Sequence, residues 1–285
     1  MAERPPVRPF LKWAGGKTQL LRPIGERLPA AIRGAYLEPF LGSGAVFFHL
    51  RATGRLRGKA LLSDANGPLI EAWLAVRDEV DALVDLLAGH RAAHARGAKD
   101  HFHAVRAEVP AAPVERAARF LYLNRTCYNG LWRVNSRGLF NVPMGRYQDP
   151  AILDEGNLRA CSAALRGVEI REEGFATAMA RARSGAVAYL DPPYEPLSRT
   201  SNFTSYTAAR FGRPDQEALA DDAAALRDRG GWFLLSNHDT RWLRDLYRAR
   251  GFEVASVPAR RAINSDPASR GAVRELLVTP GEARG

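Results

Sequence analysis

The tetrapeptide Asp191-Pro192-Pro193-Tyr194 follows a short apolar run, Ala186-Val187-Ala188-Tyr189-Leu190. Such a run reads as a buried parallel strand, and open α/β sheets bind ligands beyond the carboxyl ends of their strands. Two prolines remove two backbone donors and stiffen the turn, and Pro192 pushes Asp191 into an extended conformation. The corner therefore offers a carboxylate, a free carbonyl and an aromatic ring. Two acceptors can hold an exocyclic amino group while the ring stacks on a flat heterocycle, which is what modifying the amine of a base requires. Taken alone, the same residues are equally compatible with a strand-end turn carrying a surface tyrosine.

A second constellation lies nearer the N-terminus. Phe40-Leu41-Gly42-Ser43-Gly44 follows an apolar run and opens a helix, where glycines let the backbone approach a ligand. A full dinucleotide fingerprint needs glycine at position 47, which is Phe47. Asp64 ends the next strand, where an acidic side chain can bind both hydroxyls of a ribose. Lys12-Trp13-Ala14-Gly15-Gly16-Lys17 is not a Walker A loop, because the first glycine of that motif is replaced by Leu11. Gly15 and Gly16 suit a tight turn, and Lys17 can pair with an anion such as a carboxylate. One cofactor joins these parts. S-adenosylmethionine has a ribose for Asp64, an amino-acid end for Lys17 and a methyl group for an amine held at Asp191.

These residues need a frame. Strand-like runs at 35–40, 59–64, 168–171, 186–190, 232–236, 252–257 and 274–278 alternate with helical patterns near 155–166, 174–183, 214–229 and 239–249. Leu69, Ile70, Trp73, Leu74, Val80, Leu83, Val84 and Leu87 also recur at helical spacing. The expected fold class is α/β: a mostly parallel, Rossmann-like sheet with helices on both faces. The last two strands are separated by too few residues for a helical crossover, which predicts an antiparallel pair.

The middle of the chain breaks the alternation. Residues 115–147 start as a helix and continue into an Asn/Gly/Arg-rich stretch, with six Arg against one Glu and with Tyr, Trp and Phe interleaved. Arginines for phosphate and guanine, asparagines for adenine and aromatics for stacking make a nucleic-acid surface. The other reading is a solvated, loop-rich insertion. The whole chain carries 41 basic and 31 acidic residues, a formal net charge of +10 over 285 residues, which favours polyanionic partners.

Other classes recede. Cys127 and Cys161 form no C-x-x-C pair, so a reducing cytoplasm is the expected setting. The paired histidines His90/His94 and His101/His103 lack a completing Cys or Glu, and no metal is expected. No apolar stretch is long enough to span a membrane, and the N-terminus has no signal-peptide core.

At this point the chain resembles the bacterial DNA adenine-N6 methyltransferases of the Dam type (class alpha, D12). Its motifs stand in the family's order from Phe10 to Val278: Lys12 to Lys17, Glu38 to Gly44, Ser63-Asp64-Ala65-Asn66, Tyr122 to Asn135, Phe140 to Tyr147, Asp191 to Tyr194, Asn202 to Tyr206 and Leu235 to Asp239. The resemblance implies a catalytic methyltransferase domain (1–66 and 148–285) with an inserted target-recognition domain (67–147). It implies Asp191, Pro192 and Tyr194 as the catalytic corner. It assigns cofactor contacts to Trp13, Lys17, Asp64 and Asp191, with Phe40, Gly42 and Gly44 shaping the pocket. Tyr128 and Asn129 would fill the gap left by an extruded base, Leu131, Arg133 and Pro143 would read base edges, and Lys12 would contact the first base pair of GATC. Asn124, Arg125, Asn135 and Arg137 join them on the expected DNA surface. Asn202 and Tyr206 belong to a segment, 195–213, expected either to close over base and backbone or to form a plain basic loop. Thr126, Cys127 and Trp132 depart from the family pattern near the contacts.

The implied reaction moves a methyl group to adenine N6, leaving S-adenosylhomocysteine, in a base flipped from duplex DNA at a cost of about a few kcal/mol. Cys127 does not suit a C5-cytosine nucleophile, since no proline precedes it. The alternatives are transfer to cytosine N4, and a non-catalytic DNA-binding protein that kept the fold. The expected partner is double-stranded DNA, and the protein is expected to be monomeric and cytoplasmic, associated with the nucleoid through DNA.

Overall fold

A computed structural model describes residues 7–13, 15–195, 211–260 and 272–281. The chain divides into two compact units. One comprises Met1–Gly16, Gly42–Ala52 and Asn66–Ile170; the other comprises Lys17–Leu41, Thr53–Ala65 and Arg171–Gly285.

Seven strands form one sheet in the order β3-β2-β1-β4-β5-β7-β6. They are β1 (Tyr36–Glu38), β2 (Ala60–Asp64), β3 (Glu169–Glu172), β4 (Val187–Leu190), β5 (Trp232–His238), β6 (Glu253–Arg260) and β7 (Ala272–Thr279). β1 pairs in parallel with β2 and β4, and β4 with β5. β7 runs antiparallel to both of its neighbours, so the expected antiparallel ending is present. β1 and β4 are buried at every position, the pattern of parallel strands covered on both faces. β1 continues to β2 on one side and has β4 on the other. The topological switch point therefore falls at the carboxyl ends of β1 and β4, where open α/β sheets hold ligands.

In this sheet unit, α7 (Phe175–Ala180), α8 (Arg213–Asp228) and α9 (Arg241–Ala249) pack an apolar layer onto the strands. Leu219, Ala220, Ala223 and Leu226 of α8 meet Leu37, Ala188, Leu190, Phe233 and Leu276, all fully buried. Alanines on that helix face permit a close approach to the sheet. α8 starts where Asp215 accepts the Gly212 amide at 2.8 Å, and α9 where Thr240 accepts the Leu243 amide, each satisfying a donor that the first turn leaves open.

The other unit is helical: α2 (Ala45–Ala52), α3 (Gly67–Asp78), α4 (Val80–Ala107), α5 (Pro113–Thr126) and α6 (Glu155–Ala164), with α1 (Leu21–Arg27) belonging to the sheet unit. The apolar spacing from Leu69 to Leu87 spans two helices, because the backbone leaves the helical region at Glu79. Asn66 caps α3 by accepting the Leu69 amide. An aromatic cluster holds this unit together: Trp73 lies 4.8 Å from the Phe10 ring and stacks on Phe48 at 5.4 Å, and its indole N–H donates to the Gly42 carbonyl.

The histidines of α4 pack around Tyr122. His94 Nδ1 lies 2.9 Å from the Tyr122 hydroxyl and His90 Nδ1 3.0 Å from His101 Nε2. Burial, and then the neighbouring His101, push the His90 pKa down to about 4, so this group is neutral at physiological pH. Among the described residues, no helix is long and apolar enough to cross a membrane.

Candidate active site and nucleic-acid interface

Asp191 leaves β4 at the switch point, and its carboxylate is held on both oxygens. The Lys17 ammonium lies 2.9 Å from Oδ2, with Lys17 only 5% exposed. The Ser236 hydroxyl donates to Oδ1 at 2.8 Å, and the Tyr189 hydroxyl lies 3.2 Å from Ser236 Oγ. Lys17 was expected to meet an anion, and the anion in the structure is the protein's own. A carboxylate has about four acceptor positions, so these two partners fix its plane and leave capacity for further donors.

The rest of the corner is braced from neighbouring elements. The Pro193 carbonyl accepts from the Gln216 amide at 2.9 Å, Gln216 in turn accepts from Asn237, and Asn237 accepts the Glu195 amide. Tyr194 is half-buried. Its hydroxyl donates to Glu275 Oε2 at 2.6 Å, its ring has the Lys17 ammonium 4.6 Å from the centroid, and the His238 ring stands edge-on at 4.7 Å. Burial, together with the Asp191 and Glu275 carboxylates, raises the Tyr194 phenol well above its ordinary range. Burial likewise raises Glu275, against the opposing pull of Lys17 and the tyrosine hydrogen bond.

Asp64 ends β2, half-buried, and its carbonyl accepts the Glu173 amide at 3.2 Å. Phe40 stacks on Phe175 at 5.6 Å and meets Phe211 edge-on at 5.7 Å, a half-buried aromatic wall suited to a flat ring. In the helical unit the chain turns with positive φ at Gly42 and Gly44. A β-carbon on Gly42 would stand 2.8 Å from the Trp13 indole, so Trp13 requires glycine there on both backbone and steric grounds.

The basic segment is built inward as much as outward. Asn124, expected on the DNA surface, is fully buried. Its amide nitrogen donates to the Lys12 and Gly130 carbonyls at 2.6 and 3.0 Å, and its oxygen accepts the Lys12 amide at 2.9 Å. Arg125, also expected to face DNA, turns back to the Phe10 carbonyl at 2.7 Å, and burial lowers its pKa. Both residues follow the buried face of α5, which claims them before any ligand can. Asn135 is exposed, but its oxygen accepts the Arg137 and Leu139 amides, which makes it a turn residue. Trp132, a departure from the family pattern, is buried between Phe120 at 4.1 Å and Phe140 at 4.8 Å and anchors the segment to the helices.

What remains outward is a compact set. Tyr128 is 42% exposed, Arg133, Arg137 and Pro143 are exposed, and Asn129 and Leu131 are half-buried. Asn129 adopts a left-handed conformation (φ 55°), a strained position that asparagine tolerates best among residues with a side chain. Arg133 is steered by Asn141, whose oxygen accepts its Nε at 2.8 Å. Lys12 lies 4.0 Å over the Tyr147 ring, and burial followed by the Arg125 charge lowers its pKa. A β-carbon on Gly130 would fall 2.6 Å from the Lys12 β-carbon, so glycine is what admits Lys12 to this surface. The Cys127 thiol is pushed up to about 12 by burial, which disfavours the thiolate that a nucleophile needs. Asn202 and Tyr206 lie outside the described residues, as does most of the expected closing segment.

Ser236, Glu275, Gln216, Asn237, His238, Phe175 and Tyr147 were not singled out as site residues from the sequence. Ser236, Asn237 and His238 stood in a family motif, a signal that could have found them. Glu275 had none beyond an acid, next to Arg274, in a largely apolar strand.

Comparison with known proteins agrees with the geometry. Residues 13–263 match the family model of the D12 class N6 adenine-specific DNA methyltransferases. A DNA adenine methylase of Serratia marcescens is 40% identical over 276 residues, covering 95% of this chain and 97% of that protein. The type II methyltransferase M.MjaIII of Methanocaldococcus jannaschii is 39% identical over 287 residues (95% and 98%). The DNA adenine methylase of Escherichia coli strain K12 is 39% identical over 273 residues (95% and 94%).

Asn124→Ala should strand the Lys12 amide and two carbonyls in a buried setting, at about 1–3 kcal/mol for each unsatisfied group. The expected outcome is a lowered denaturation midpoint, with faster amide exchange at Lys12 and Gly130 than elsewhere. A protein as stable as wild type would mean that the asparagine is not the strut described.

Proposed function

The chain belongs to the D12 class of N6 adenine-specific DNA methyltransferases, and from that premise we propose that it acts on the adenine of GATC in duplex DNA, with S-adenosylmethionine as the methyl donor. Enzymes of this family generally use that donor. The expected rival, transfer to cytosine N4, departs from the adenine-specific family, and the catalytic corner leaves no reason to prefer a non-catalytic reading. The observation that supports the reaction most directly is the corner itself: a carboxylate fixed by Lys17 and Ser236 beside the Pro192 carbonyl and the Tyr194 ring.

The residues present fit the donor. A left-handed glycine turn follows β1, an acid stands at the end of β2 as a ribose would require, and an aromatic wall surrounds Phe40. On this reading Lys17, Phe40, Asp64 and Asp191 of the sheet unit hold it. When bound, it supplies an electrophilic methyl group on a sulfonium.

The protein's part is positioning and electrostatics. The Asp191 carboxylate and the Pro192 carbonyl accept the two hydrogens of the N6 amine. Those bonds favour a lone pair localised on nitrogen rather than delocalised into the ring. Tyr194 stacks on the base, which must leave the duplex to reach the corner. Residues 67–147 are the proposed target-recognition domain, with 1–66 and 148–285 catalytic. Tyr128 and Asn129 occupy the gap in the duplex, while Lys12, Leu131, Arg133 and Pro143 read base edges. Arg133 carries the clearest chemistry, since a guanidinium bidentate to guanine contributes about 1–3 kcal/mol of discrimination.

The test is incubation with methyl-labelled S-adenosylmethionine and two unmethylated duplexes, one containing GATC and one with those bases scrambled, followed by nucleoside analysis. Label in N6-methyladenine from the GATC duplex alone is expected. Label from both duplexes discards the recognition sequence, and label in another nucleoside discards the adenine corner. In the same assay Asp191→Asn and Asp191→Ala should lose nearly all methyl transfer while retaining DNA binding in a gel-shift measurement; near-normal turnover overturns the catalytic assignment. Arg133→Ala should narrow the gap in rate between the two duplexes by about 10- to 100-fold, and an unchanged gap removes its reading role.

A further inference from the structure

We propose that Glu275 is a positioning residue that fixes the Tyr194 ring as a stacking platform, through the hydrogen bond that its carboxylate accepts from the tyrosine hydroxyl. The inference rests on the reading of Tyr194 as the ring that stacks on the extruded base. A platform accelerates a reaction only if it is in place before the substrate arrives, because ordering it afterwards costs binding energy. The backbone on either side of Tyr194 is held, at the Pro193 carbonyl by Gln216 and at the Glu195 amide by Asn237, but those bonds do not fix the direction of the ring. Its far end is tied 81 residues along the chain, at 2.6 Å, a length typical of a strong hydroxyl-to-carboxylate bond.

The anchor is itself rigid. Glu275 lies in β7 and pairs with His238 of β5 on one side and Val257 of β6 on the other. His238 also stands edge-on to the Tyr194 ring, so the ring is held at its tip by one strand and at its side by the next.

The choice of residue also needs explaining. Stacking alone requires no hydroxyl, and phenylalanine would serve. Leu276 and Leu277, next along β7, are fully buried apolar residues, and a glutamate beside them is disfavoured both by strand preference and by desolvation. Burial raises its pKa, the mark of that cost. Lys17 already has Asp191 at 2.9 Å, so charge balance at the lysine does not by itself call for a second carboxylate. Anchoring the phenol does.

The experiment measures single-turnover methyl transfer, and the fluorescence of a duplex with 2-aminopurine at the target adenine, for the full chain and five variants. Glu275→Ala and Tyr194→Phe should each slow transfer by about 10- to 100-fold, the range of a hydrogen bond to a charged group. DNA and cofactor affinities should stay at wild-type values. Glu275→Gln, whose amide oxygen still accepts the phenol, should recover most of the rate. The double variant Tyr194→Phe/Glu275→Ala should be no slower than the worse single variant, because both remove the same contact.

Rates that multiply in the double variant overturn the inference, as does a Tyr194→Phe enzyme as fast as wild type. The latter comparison stands even if Glu275→Ala does not fold. Tyr194→Ala separates the two readings. If it loses activity and the 2-aminopurine signal while the Glu275 variants behave as wild type, the platform stands and the anchor falls. If it matches wild type, the platform reading falls and takes the anchor with it.

Discussion

A buried ammonium organises the corner at the end of β4. Lys17 is almost wholly removed from water and meets Asp191 at 2.9 Å. Taking an isolated charge out of water costs several kcal/mol, recovered only when a partner is close and the remaining polar positions are occupied. Lys17 and Asp191 are therefore bound to each other as a structural pair. The pair locates the carboxylate at the end of β4, brings a cation over the Tyr194 ring and draws the Lys17 turn onto the strand ends. Removing either member takes away the closest opposite charge of the other.

Around this pair, each polar group is held by another whose backbone is already fixed by sheet pairing. Ser236 and Asn237 lie in β5, in register with Leu277 and Leu276 of β7. From there Ser236 orients Asp191, while Asn237 orients Glu195 and, through Gln216, the Pro193 carbonyl. The reversed strand has a specific consequence. Because β7 lies between β5 and β6 rather than at the edge, Glu275 stands beside His238, and both reach Tyr194. The late antiparallel strand thus does more than complete the sheet; it delivers Glu275 to a residue 81 positions earlier in the chain.

The helical unit uses the same economy with neutral groups. One buried amide, Asn124, joins the strand of chain at Lys12 to the turn at Gly130, and Arg125 secures Phe10 beside it. Trp132 plugs the hairpin-like segment into α5. With its base so firmly attached, the outer side is free to present Tyr128, Arg133 and Pro143 in fixed relation to one another. Inward asparagine and arginine give rigidity, and outward arginine and tyrosine stay exposed.

Much of this protein was legible in its residues. Continuous apolar runs marked the strands, since parallel strands are buried on both faces. The Asp191 to Tyr194 corner and the Gly42 and Gly44 turn stood out because their conformations depend on residue type, through proline rings and the freedom of glycine. Motif order carried the family. What composition could not decide was direction. Asn124 and Arg125 share the basic segment with Arg133, yet they point into the unit, because the helical face on which a residue falls is set by packing and not by its polarity. Nor could the sequence show that Lys17 would meet Asp191, or that Tyr194 would find Glu275. Those contacts join residues 174 and 81 positions apart, and they exist only because strand order and pleat place the side chains together. Local chemistry is written in the chain, whereas the pairing of buried charges is settled by the tertiary fold, since only there is water removed and a partner required.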